Sequence, residues 1–398
     1  LLEEFLFFFF LCLFLLSGPL LVFYSLGYRL DFEKKKITKT GGIFIKALPK
    51  EVEVSIDQKM KKKTDSFFGS LLIENLLPKR YKVRVEKDGY FTWEKELEVE
   101  EGKVAEVKNL ILFPKNLNFY PIANNIEQYW ILPNEKELIL KEKEGEKWIL
   151  KSYSLKKKLK SYLVGENDFP TEAEFLELDF GETQDQIEIK IKIKEEIKSF
   201  ILDLKKSPPQ LREKEKEKIP ENAICFKKLK GEFYFFDKEG HLFRGERKLN
   251  KEALSPIDNC KLEIFNELVF LESQNNLYFL KEEKFEKIFE NLRGIEASPD
   301  LKKVAIFSDY EIWIFENGKV EFLNRFSEKI EKLYWFDEHY LIFLSQGKIK
   351  ISETDRRDKI NIYEIAEFFG EDFSFSDFNK KIYFKKGNQI FESETLLR

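Results

Sequence analysis

The segment LLPKRYKVRVEKDGYFTWEKELEVEEGK, residues 76–103, alternates apolar and charged side chains on both sides of one Asp88-Gly89 pair. A period of two places the apolar side chains of a strand on one face and the charged ones on the other. Gly adopts positive φ without steric cost, so Gly89 marks the turn that reverses the chain. The segment is therefore predicted to be a β-hairpin. Its apolar face begins with Tyr81, Val83 and Val85.

The same alternation continues on both sides of the hairpin, over residues 41–114. It is visible in GGIFIKALPKEVEVSID and again in KVAEVKNLILF. Five or six short strands in a segment of this length predict a small β-sandwich. The lysine-rich stretch Lys59–Lys63 is predicted to be a solvated hairpin tip. The alternative for these lysines is contact with anionic lipid headgroups.

This region resembles the PEGA domain, a small β-sandwich found in bacterial surface proteins. The resemblance rests on Pro78-x-x-Tyr81-x-Val83-x-Val85 and on Lys87-Asp88-Gly89-Tyr90 followed by Trp93. Lys79 departs from the pattern, which usually has Gly after the proline. Within such a domain we expect Tyr90 and Trp93 to cover the sandwich core rather than to bind a ligand.

The N-terminal region, residues 1–28, is predicted to be a transmembrane anchor. Phe5 to Leu26 contains 22 residues without a charge, and a helix of that length spans a bilayer core of about 30 Å. The alternative is a cleaved signal peptide. The apolar stretch is longer than a signal peptide needs, and no small-residue cleavage site follows it. A retained, single-pass contact with the lipid bilayer is therefore favoured.

The charges that follow the span, Arg29 and Lys34–Lys36, would by themselves place the remainder of the chain in the cytoplasm. The chain starts at Leu1 rather than Met, so we expect further residues upstream and give this charge count little weight. The resemblance to surface proteins instead implies that the soluble part is extracytoplasmic. A cytoplasmic scaffold remains the alternative.

Residues 115–398 repeat a unit of strand, tight turn and strand about every 35–45 residues, which is typical of propeller blades. Turn-forming pairs such as Asn134-Glu135 and Asn317-Gly318 separate the strands. The pattern predicts a β-propeller of about seven blades. The proline-containing, highly charged segment 205–221 is predicted to be an exposed excursion between blades. KINIYEIAEFFGE, residues 359–371, is predicted to form a short turn or helix between the last blades.

The stretch ASPDLKKVAIFSDYEIWIF, residues 297–315, resembles a blade of WD-repeat-like propellers. Ser298, Pro299 and Asp300 match the blade signature, and Leu301 stands where Gly is common. The alternative to a closed propeller is a pair of sandwiches, which would leave several strand edges exposed. The chain as a whole is thus predicted to be mainly β.

Composition excludes several functions. A net charge of -4 argues against nucleic-acid binding, which requires a basic surface. Two His residues and three scattered Cys residues predict no metal site, and no cofactor motif is present. Separate buried thiols are the favoured interpretation of Cys225 and Cys260. A disulfide between them requires that they lie on neighbouring strands.

Two functional hypotheses follow. The first is a non-enzymatic, membrane-anchored cell-envelope protein whose propeller binds or scaffolds a protein or a cell-wall glycan. The second is a surface propeller hydrolase that uses channel carboxylates on a polysaccharide or peptide. No catalytic residue stands out in the sequence, so the first hypothesis is favoured.

Overall fold

A computed structural model describes the chain except for residues 1, 33, 134–135, 181–182, 184, 207, 216–217, 230, 255–256, 258 and 398, and except for the side chains of residues 2–4. It divides the chain into two compact units. The first contains residues 1–116, 352–365 and 396–398, and the second contains residues 117–351 and 366–395. The turn predicted at residues 134–135 lies outside the described residues.

The first unit begins with helix α1 (Leu2–Ser25), in which Phe5–Ser25 is long and apolar enough to cross a membrane. A hairpin follows, made of β1 (Tyr28–Asp31) and β2 (Lys36–Lys39). The Arg29 guanidinium stacks on the Tyr24 ring at 3.5 Å and donates to Asn75 Oδ1 at 2.8 Å. The end of the helix is therefore fastened to the domain that follows it.

That domain is a sandwich of two sheets, with strand orders β6-β3-β9 and β5-β4-β7-β8. Its strands are β3 (Gly41–Leu48), β4 (Glu53–Ile56), β5 (Met60–Lys63), β6 (Ser70–Leu76), β7 (Arg80–Glu86), β8 (Trp93–Glu98) and β9 (Val104–Ile111). In β7, Tyr81, Val83 and Val85 are buried and alternate with exposed Lys82 and Arg84, as the period of two predicts. The lysine-rich stretch begins in the turn of the β4–β5 hairpin at Lys59 and continues along the exposed edge strand β5, so it is solvated as predicted but extends beyond the hairpin tip.

Residues 117–395 form four-stranded antiparallel sheets. This part of the chain begins with β10 (Phe119–Asn124), and six sheets then follow in chain order. Blade 1 contains β11 (Ile126–Ile131), β12 (Glu137–Glu144), β13 (Lys147–Ser154) and β14 (Leu159–Gly165), and a short 3₁₀ turn (Glu166–Asp168) follows it. Blade 2 contains β15 (Ala173–Phe180), β16 (Gln186–Ile193), β17 (Glu196–Asp203) and β18 (Gln210–Glu213). Blade 3 contains β19 (Ala223–Leu229), β20 (Glu232–Asp237), β21 (Leu242–Arg244) and β22 (Arg247–Lys248).

The next three blades have the same strand order. Blade 4 contains β23 (Lys261–Phe265), β24 (Leu268–Ser273), β25 (Asn276–Lys281) and β26 (Lys284–Phe289). Blade 5 contains β27 (Gly294–Ala297), β28 (Lys303–Phe307), β29 (Glu311–Glu316) and β30 (Lys319–Arg325). Blade 6 contains β31 (Ile330–Trp335), β32 (Tyr340–Ser345), β33 (Lys348–Glu353) and β34 (Ile362–Glu367).

Blade 7 closes the ring. It contains β35 (Glu371–Ser376), β36 (Lys381–Lys386) and β37 (Gln389–Ser393), and its fourth strand is β10 from the other end of the unit. Phe119 pairs with Ser393, and Asn124 pairs with Gln389. Closure through the two ends of the unit, with seven four-stranded sheets, makes this part of the chain a seven-bladed β-propeller. The predicted mainly β fold and the count of about seven blades are confirmed.

Apolar side chains from neighbouring blades pack face to face. Phe270 and Leu277 of blade 4, for example, form a buried cluster with Val304 and Phe315 of blade 5. Similar clusters join blades 1 and 7, blades 1 and 2, and blades 3 and 4. Blades 1 and 4 are therefore covered by apolar neighbours on both faces. In blade 6, all of Tyr340–Ser345 is buried, as expected for a central strand that packs on both sides.

Two local predictions are corrected by these strands. Residues 359–371 contain strand β34 rather than a helix, with Tyr363 and Ile365 buried on one face. Within the predicted excursion 205–221, Gln210–Glu213 pair with β17 as the outermost strand of blade 2. Residues 207 and 216–217 of that segment lie outside the described residues.

Candidate functional site

The hairpin residues singled out in the sequence belong to the sandwich. Gly89 has φ +81, and no atom lies within 4 Å of the position that a Cβ would occupy, so its conformation favours Gly although its surroundings leave room for a side chain. Tyr90 is partly buried against the core and forms an isolated bridge with Pro114. Tyr81 is buried, and its hydroxyl donates to the carbonyl of Leu77 at 2.9 Å. The Pro78 carbonyl accepts from Lys34 Nζ at 3.2 Å.

Trp93 has a role that the sequence did not indicate. Its ring is 1% exposed, and its indole N–H donates to Glu353 Oε2 at 2.9 Å. Lys95 Nζ, which is fully buried, lies 2.8 Å from Glu353 Oε1. Asn361 donates to the same carboxylate from its backbone and its side chain. Residues 352–365 therefore complete the core of the first unit through a hydrogen-bonded buried ion pair, which is a structural arrangement.

Ser298, Pro299 and Asp300 form a turn at the end of β27. The Ser298 hydroxyl is buried and donates to Asp300 Oδ1 at 2.7 Å, while Lys303 N–H donates to Ser298 Oγ at 3.0 Å. Burial opposes ionisation of Asp300, but hydrogen bonds from Ser298 and Lys302 lower the pKa of this carboxyl. Leu301 has φ +57, which explains why Gly is common at this position of the signature. The three residues hold a turn and have no catalytic arrangement.

A cavity of about 570 Å³ is lined mainly by the first strands of blades 1, 2, 6 and 7. Its lining includes Tyr129 from blade 1, Lys332 and Tyr334 from blade 6, and Asp372 and Ser374 from blade 7. The Tyr129 hydroxyl lies within hydrogen-bonding distance of the carbonyls of Asp372 and Tyr383, and burial raises the pKa of this phenol. Burial also raises the pKa of Tyr334, to about 12. Both phenols are therefore neutral hydrogen-bonding groups at physiological pH.

A cluster of opposite charges lies on the first strands of blades 3, 4 and 5. Glu263 Oε1 accepts from Lys261 Nζ at 2.7 Å, and its other oxygen accepts from Lys227. Burial opposes ionisation, but these two lysines hold the pKa of Glu263 below its usual range. Burial raises the pKa of Glu296 to about 7, and the negative charge of Glu263 adds to that effect. Two carboxyl groups of this cluster thus have pKa values displaced in opposite directions.

A groove of about 720 Å³ lies between blades 4 and 5. Trp313 forms its aromatic floor, with edge-to-face contacts to Phe289 and Phe322 at centroid distances of 6.0 and 5.1 Å. The Trp313 indole N–H donates to Glu311 Oε2 at 3.0 Å. Tyr310, 46% exposed, lies at the rim. We call this site the blade 4–5 groove; its polar lining includes Asn291, Ser308, Asp309, Glu311 and Arg325.

Cys225 and Cys260 form a disulfide, so the expectation of two separate thiols is wrong. Their Cα atoms are 5.6 Å apart, because β19 and the start of β23 lie on adjacent blades. Cys12 in α1 is a free cysteine. Among the described residues, no group of three or more His, Cys, Asp or Glu side chains is arranged to hold a metal ion.

Comparison with known proteins identifies one module. Residues 40–111 match the sequence profile of the PEGA domain family, which confirms the resemblance noted within residues 41–114. The profile covers the sandwich and not the propeller. Among curated proteins, none is similar to this chain in sequence.

Several solved structures share 7–11% sequence identity with this chain. YCF48 from Cyanidioschyzon merolae has 7% identity and a TM-score of 0.44, over 70% of this chain and 98% of that chain. Virginiamycin B lyase from Staphylococcus aureus has 11% identity and a TM-score of 0.43, over 70% and 99% of the two chains. A chain of the mitotic checkpoint complex has 8% identity and a TM-score of 0.46, over 72% and 93%.

Sequence reasoning missed both the blade 4–5 groove and the charged cluster. Their residues lie on three different blades and carry no local motif. One indirect signal was present in the sequence. In Leu262-Glu263-Ile264, on the first strand of blade 4, a carboxylate stands between two apolar residues. Such alternation directs the carboxylate away from the apolar face of the strand, and so away from the interfaces between blades.

Proposed function

We propose that the chain is a non-enzymatic, membrane-anchored protein of the cell envelope, whose propeller binds a protein or a cell-wall glycan. The observation that carries this proposal is the blade 4–5 groove, which combines an aromatic floor with polar groups of both charges. Binding sites commonly pair apolar surface with a few polar groups that fix orientation. Aromatic and arginine side chains also dominate the energetics of protein interfaces.

The side chains of the groove are held in place before a ligand arrives. Glu311 accepts from the indole of Trp313 and lies 3.7 Å from Arg325 Nη1. Asp309 is an acceptor for Lys329, whose Nζ lies at 3.1 Å. Fixed side chains lower the entropic cost of binding. Both a glycan and a peptide could use such a surface, so the experiment must separate them.

The proposed location rests on two features. The apolar helix Phe5–Ser25 is long enough to serve as an anchor, and a signal sequence would pass the same test of length and composition. The disulfide Cys225–Cys260 favours an oxidising compartment, since the cytosol keeps most thiols reduced. Together they support a soluble part that faces away from the cytoplasm.

The groove is tested in living cells with a photo-crosslinking residue at Tyr310 and a matched control at Phe378, which is 60% exposed on blade 7. We expect Tyr310, but not Phe378, to capture a partner, and Trp313→Ala to reduce that capture. In parallel, full-length protein is sedimented with purified cell wall. A protein adduct identifies a protein partner, and wall binding that Trp313→Ala weakens identifies a glycan. Equal behaviour of Tyr310 and Phe378 in both assays would contradict the proposal.

The location is tested by thiol labelling of the full chain in intact cells. We expect Cys225 and Cys260 to resist maleimide until a reductant is added, and external protease to digest the soluble part once the outer layers are permeable. Free thiols in freshly quenched cells, together with full protection from protease until lysis, would place the soluble part in the cytoplasm.

The second candidate function is a hydrolase of the propeller channel. The observation that favours it is the opposite displacement of two pKa values in one cluster, because a carboxyl with a raised pKa suits a general acid and an ionised carboxylate suits a base or nucleophile. In this reading Glu296 is the acid and Glu263 is the base. A screen on wall polysaccharides and peptides should then detect turnover that Glu296→Gln abolishes. If the unmodified chain shows no turnover in this screen, the hydrolase candidate is rejected and the binding function remains.

A further inference from the structure

The loop Thr64–Ser70 of the sandwich is held rigid by one carboxylate. Asp65 Oδ1 accepts from the backbone N–H groups of Phe67 and Phe68, at 2.9 and 2.6 Å. Asp65 Oδ2 accepts from the N–H and the hydroxyl of Ser70, at 2.8 and 2.6 Å. These hydrogen bonds lower the pKa of Asp65, so the carboxylate stays ionised. The loop is therefore preorganised.

The loop is also seated on the neighbouring strand. Gly69 has φ +67, and a Cβ at this position would lie 2.5 Å from the carbonyl oxygen of Ala47. The Ala47 N–H in turn donates to the carbonyl of Gly69 at 2.9 Å. Only Gly fits so close to β3 with this φ. This backbone contact fixes the orientation of Phe67 and Phe68, the two residues that precede Gly69.

Phe67 and Phe68, which that backbone presents, are 80% and 73% exposed. These are the highest exposed fractions among the large apolar residues of the described chain beyond residue 40. Burial of one such ring from water contributes about 1.5–3 kcal/mol. Six hydrogen-bonding groups of the loop hold two adjacent aromatic rings in water. Exposed apolar surface of this kind marks a site of contact with a partner or a membrane.

Lysines surround the two rings. Lys50 Nζ donates to the carbonyl of Phe67 at 2.6 Å, and Lys87 Nζ donates to the carbonyl of Lys50 at 2.6 Å. Lys46 lies opposite Ser70 across the β3–β6 ladder, and the exposed strand β5 ends at Lys63 just before the loop. Lys50 and Lys87 are each followed in the sequence by an exposed acid, Glu51 and Asp88. Aromatic rings flanked by lysines are the composition that enters the interface of an anionic bilayer.

We propose that Phe67 and Phe68 insert into the headgroup–acyl boundary of the bilayer, while the surrounding lysines contact anionic headgroups. This proposal rests on the proposed membrane anchor, which brings a bilayer within reach. The helix end is tied to the start of β3, where Gly27 O accepts from Thr40 N–H at 2.9 Å and from the Thr40 hydroxyl at 2.8 Å. The Phe67–Phe68 loop lies at the other end of β3.

The two points are separated along the strand by about 23 Å, at ~3.3 Å per residue from Gly41 to Leu48. For both to contact one bilayer, β3 must run close to parallel with the membrane surface. A helix alone leaves the sandwich free to tilt and rotate about a single attachment. The second contact removes that freedom and gives the sandwich one defined face toward the lipid.

The proposal is tested with the full chain in nanodiscs that contain phosphatidylcholine and phosphatidylglycerol. In a Cys12→Ser background that keeps the disulfide, a nitroxide is placed at position 67 (Phe67→Cys), in the anchor (Leu15→Cys) or on blade 2 (Ile197→Cys). Leu15 and Ile197 are 61% and 65% exposed. Collision with oxygen and with a nickel chelate then reports depth. We expect position 67 to lie about 5–10 Å below the phosphates, position 15 deep in lipid and position 197 in water.

Each other pattern overturns the proposal in a distinguishable way. If position 67 is in water while position 15 is in lipid, the loop proposal fails and the anchor stands. If position 15 is also in water, the anchor and the loop proposals both fail. Strong dipolar coupling between labels at position 67 of two copies, with both labels in water, would mean that the loop docks on a second copy instead.

The role of the lysines is tested by lipid composition and by charge reversal. Nanodiscs of phosphatidylcholine alone, or the variant Lys50→Glu with Lys63→Glu, should move the label at position 67 toward water. Equal depth in all these samples would overturn the headgroup contact. Because substitutions near Asp65 could disturb the domain, each variant must first retain the melting temperature and protease resistance of the parent chain.

Discussion

The indole N–H of Trp93 donates to a carboxylate oxygen of Glu353 at 2.9 Å, so two buried residues 260 positions apart share one hydrogen bond. The other oxygen of Glu353 lies 2.8 Å from the ammonium group of Lys95, which is fully buried. Residues 352–365 therefore supply the charge that lets the sandwich bury a lysine. The first unit is complete only with a segment from far along the chain.

Glu353→Ala should be strongly destabilising. The change leaves the Lys95 ammonium buried without its main counter-charge and removes the acceptor of Trp93. Breaking a buried pair in this way costs about 3–5 kcal/mol. We expect a lower melting temperature and protease cleavage within residues 352–365 of the full chain. The control Glu98→Ala breaks an exposed pair with Arg80 at 3.8 Å, which contributes less than about 1 kcal/mol. Equal effects of the two substitutions would argue against the proposed role of Glu353.

Gly89→Val should destabilise the sandwich by more than about 1 kcal/mol, because φ is +81 at this turn and a β-branched residue is strained there. No atom lies within 4 Å of the Cβ position, so the effect reports backbone strain and not a clash. Gly89→Asn is the matched control, since Asn tolerates this conformation. Melting of the purified chain measures both variants, and a Val variant as stable as the Asn variant would contradict the explanation.

Leu301→Gly should stabilise the propeller by about 1 kcal/mol. Leu301 has φ +57, a conformation that costs an ordinary L-residue about 1–2 kcal/mol. Its side chain is 40% exposed, so its removal forfeits little packing. Chemical denaturation of the full chain provides the measurement. Leu301→Ala, which truncates the side chain but keeps the strain, should not stabilise; a gain equal to that of the Gly variant would show that the side chain and not φ is responsible.

Stability should fall as pH rises from about 4.5 to 7. The pKa of Glu296 rises from 4.5 to about 7 in the folded chain, so between these values the folded state holds a proton that the unfolded state has released. The contribution of this group is fully present below pH 4.5 and is lost as pH rises through 7. The other charged groups of the same cluster are Glu263, Lys261, Lys227 and Glu272, and burial raises the pKa of Glu272 as well.

Glu296→Gln should flatten the pH dependence by up to about 1.4 kcal/mol per pH unit inside that window. Denaturation of the full chain at a series of pH values measures the slope. Glu290→Gln on blade 4 is the control, because Glu290 is exposed and paired with Lys287, and it should keep the parent slope. An unchanged slope in the Glu296 variant would mean that the carboxyl titrates normally.

The local strands were predictable because each has its own pattern. In β7, Tyr81, Val83 and Val85 must face one side, and Asn317-Gly318 takes positive φ at both residues, as a tight hairpin turn requires. The stretch 359–371 was mispredicted because its local pattern fits more than one kind of secondary structure. Ile362 and Ile365 stand three residues apart, which fits a helix, and only pairing within blade 6 selects the strand face of Tyr363 and Ile365.

Long-range pairings could not be predicted from one sequence. Nothing local to Phe119–Asn124 indicates that β37 is its partner, and nothing near Lys95 points to Glu353. The disulfide depends on which blades are adjacent, and a scattered pair of cysteines carries no such information. The residues of the blade 4–5 groove are likewise ordinary on their own strands, and only the packing of two blades makes them one site.

The pairing of β10 with β37 has a consequence for biogenesis. β10 is synthesised well before β37, so blade 7 stays open, with an unpaired edge, until β37 emerges from the ribosome. Lys95 likewise lacks its counter-charge until Glu353 has been synthesised. A chain terminated before Glu353 would retain both defects and remain a substrate for proteases. The emergence of β37 is thus the event that closes the propeller, and the fold itself distinguishes molecules that contain this strand from molecules truncated before it.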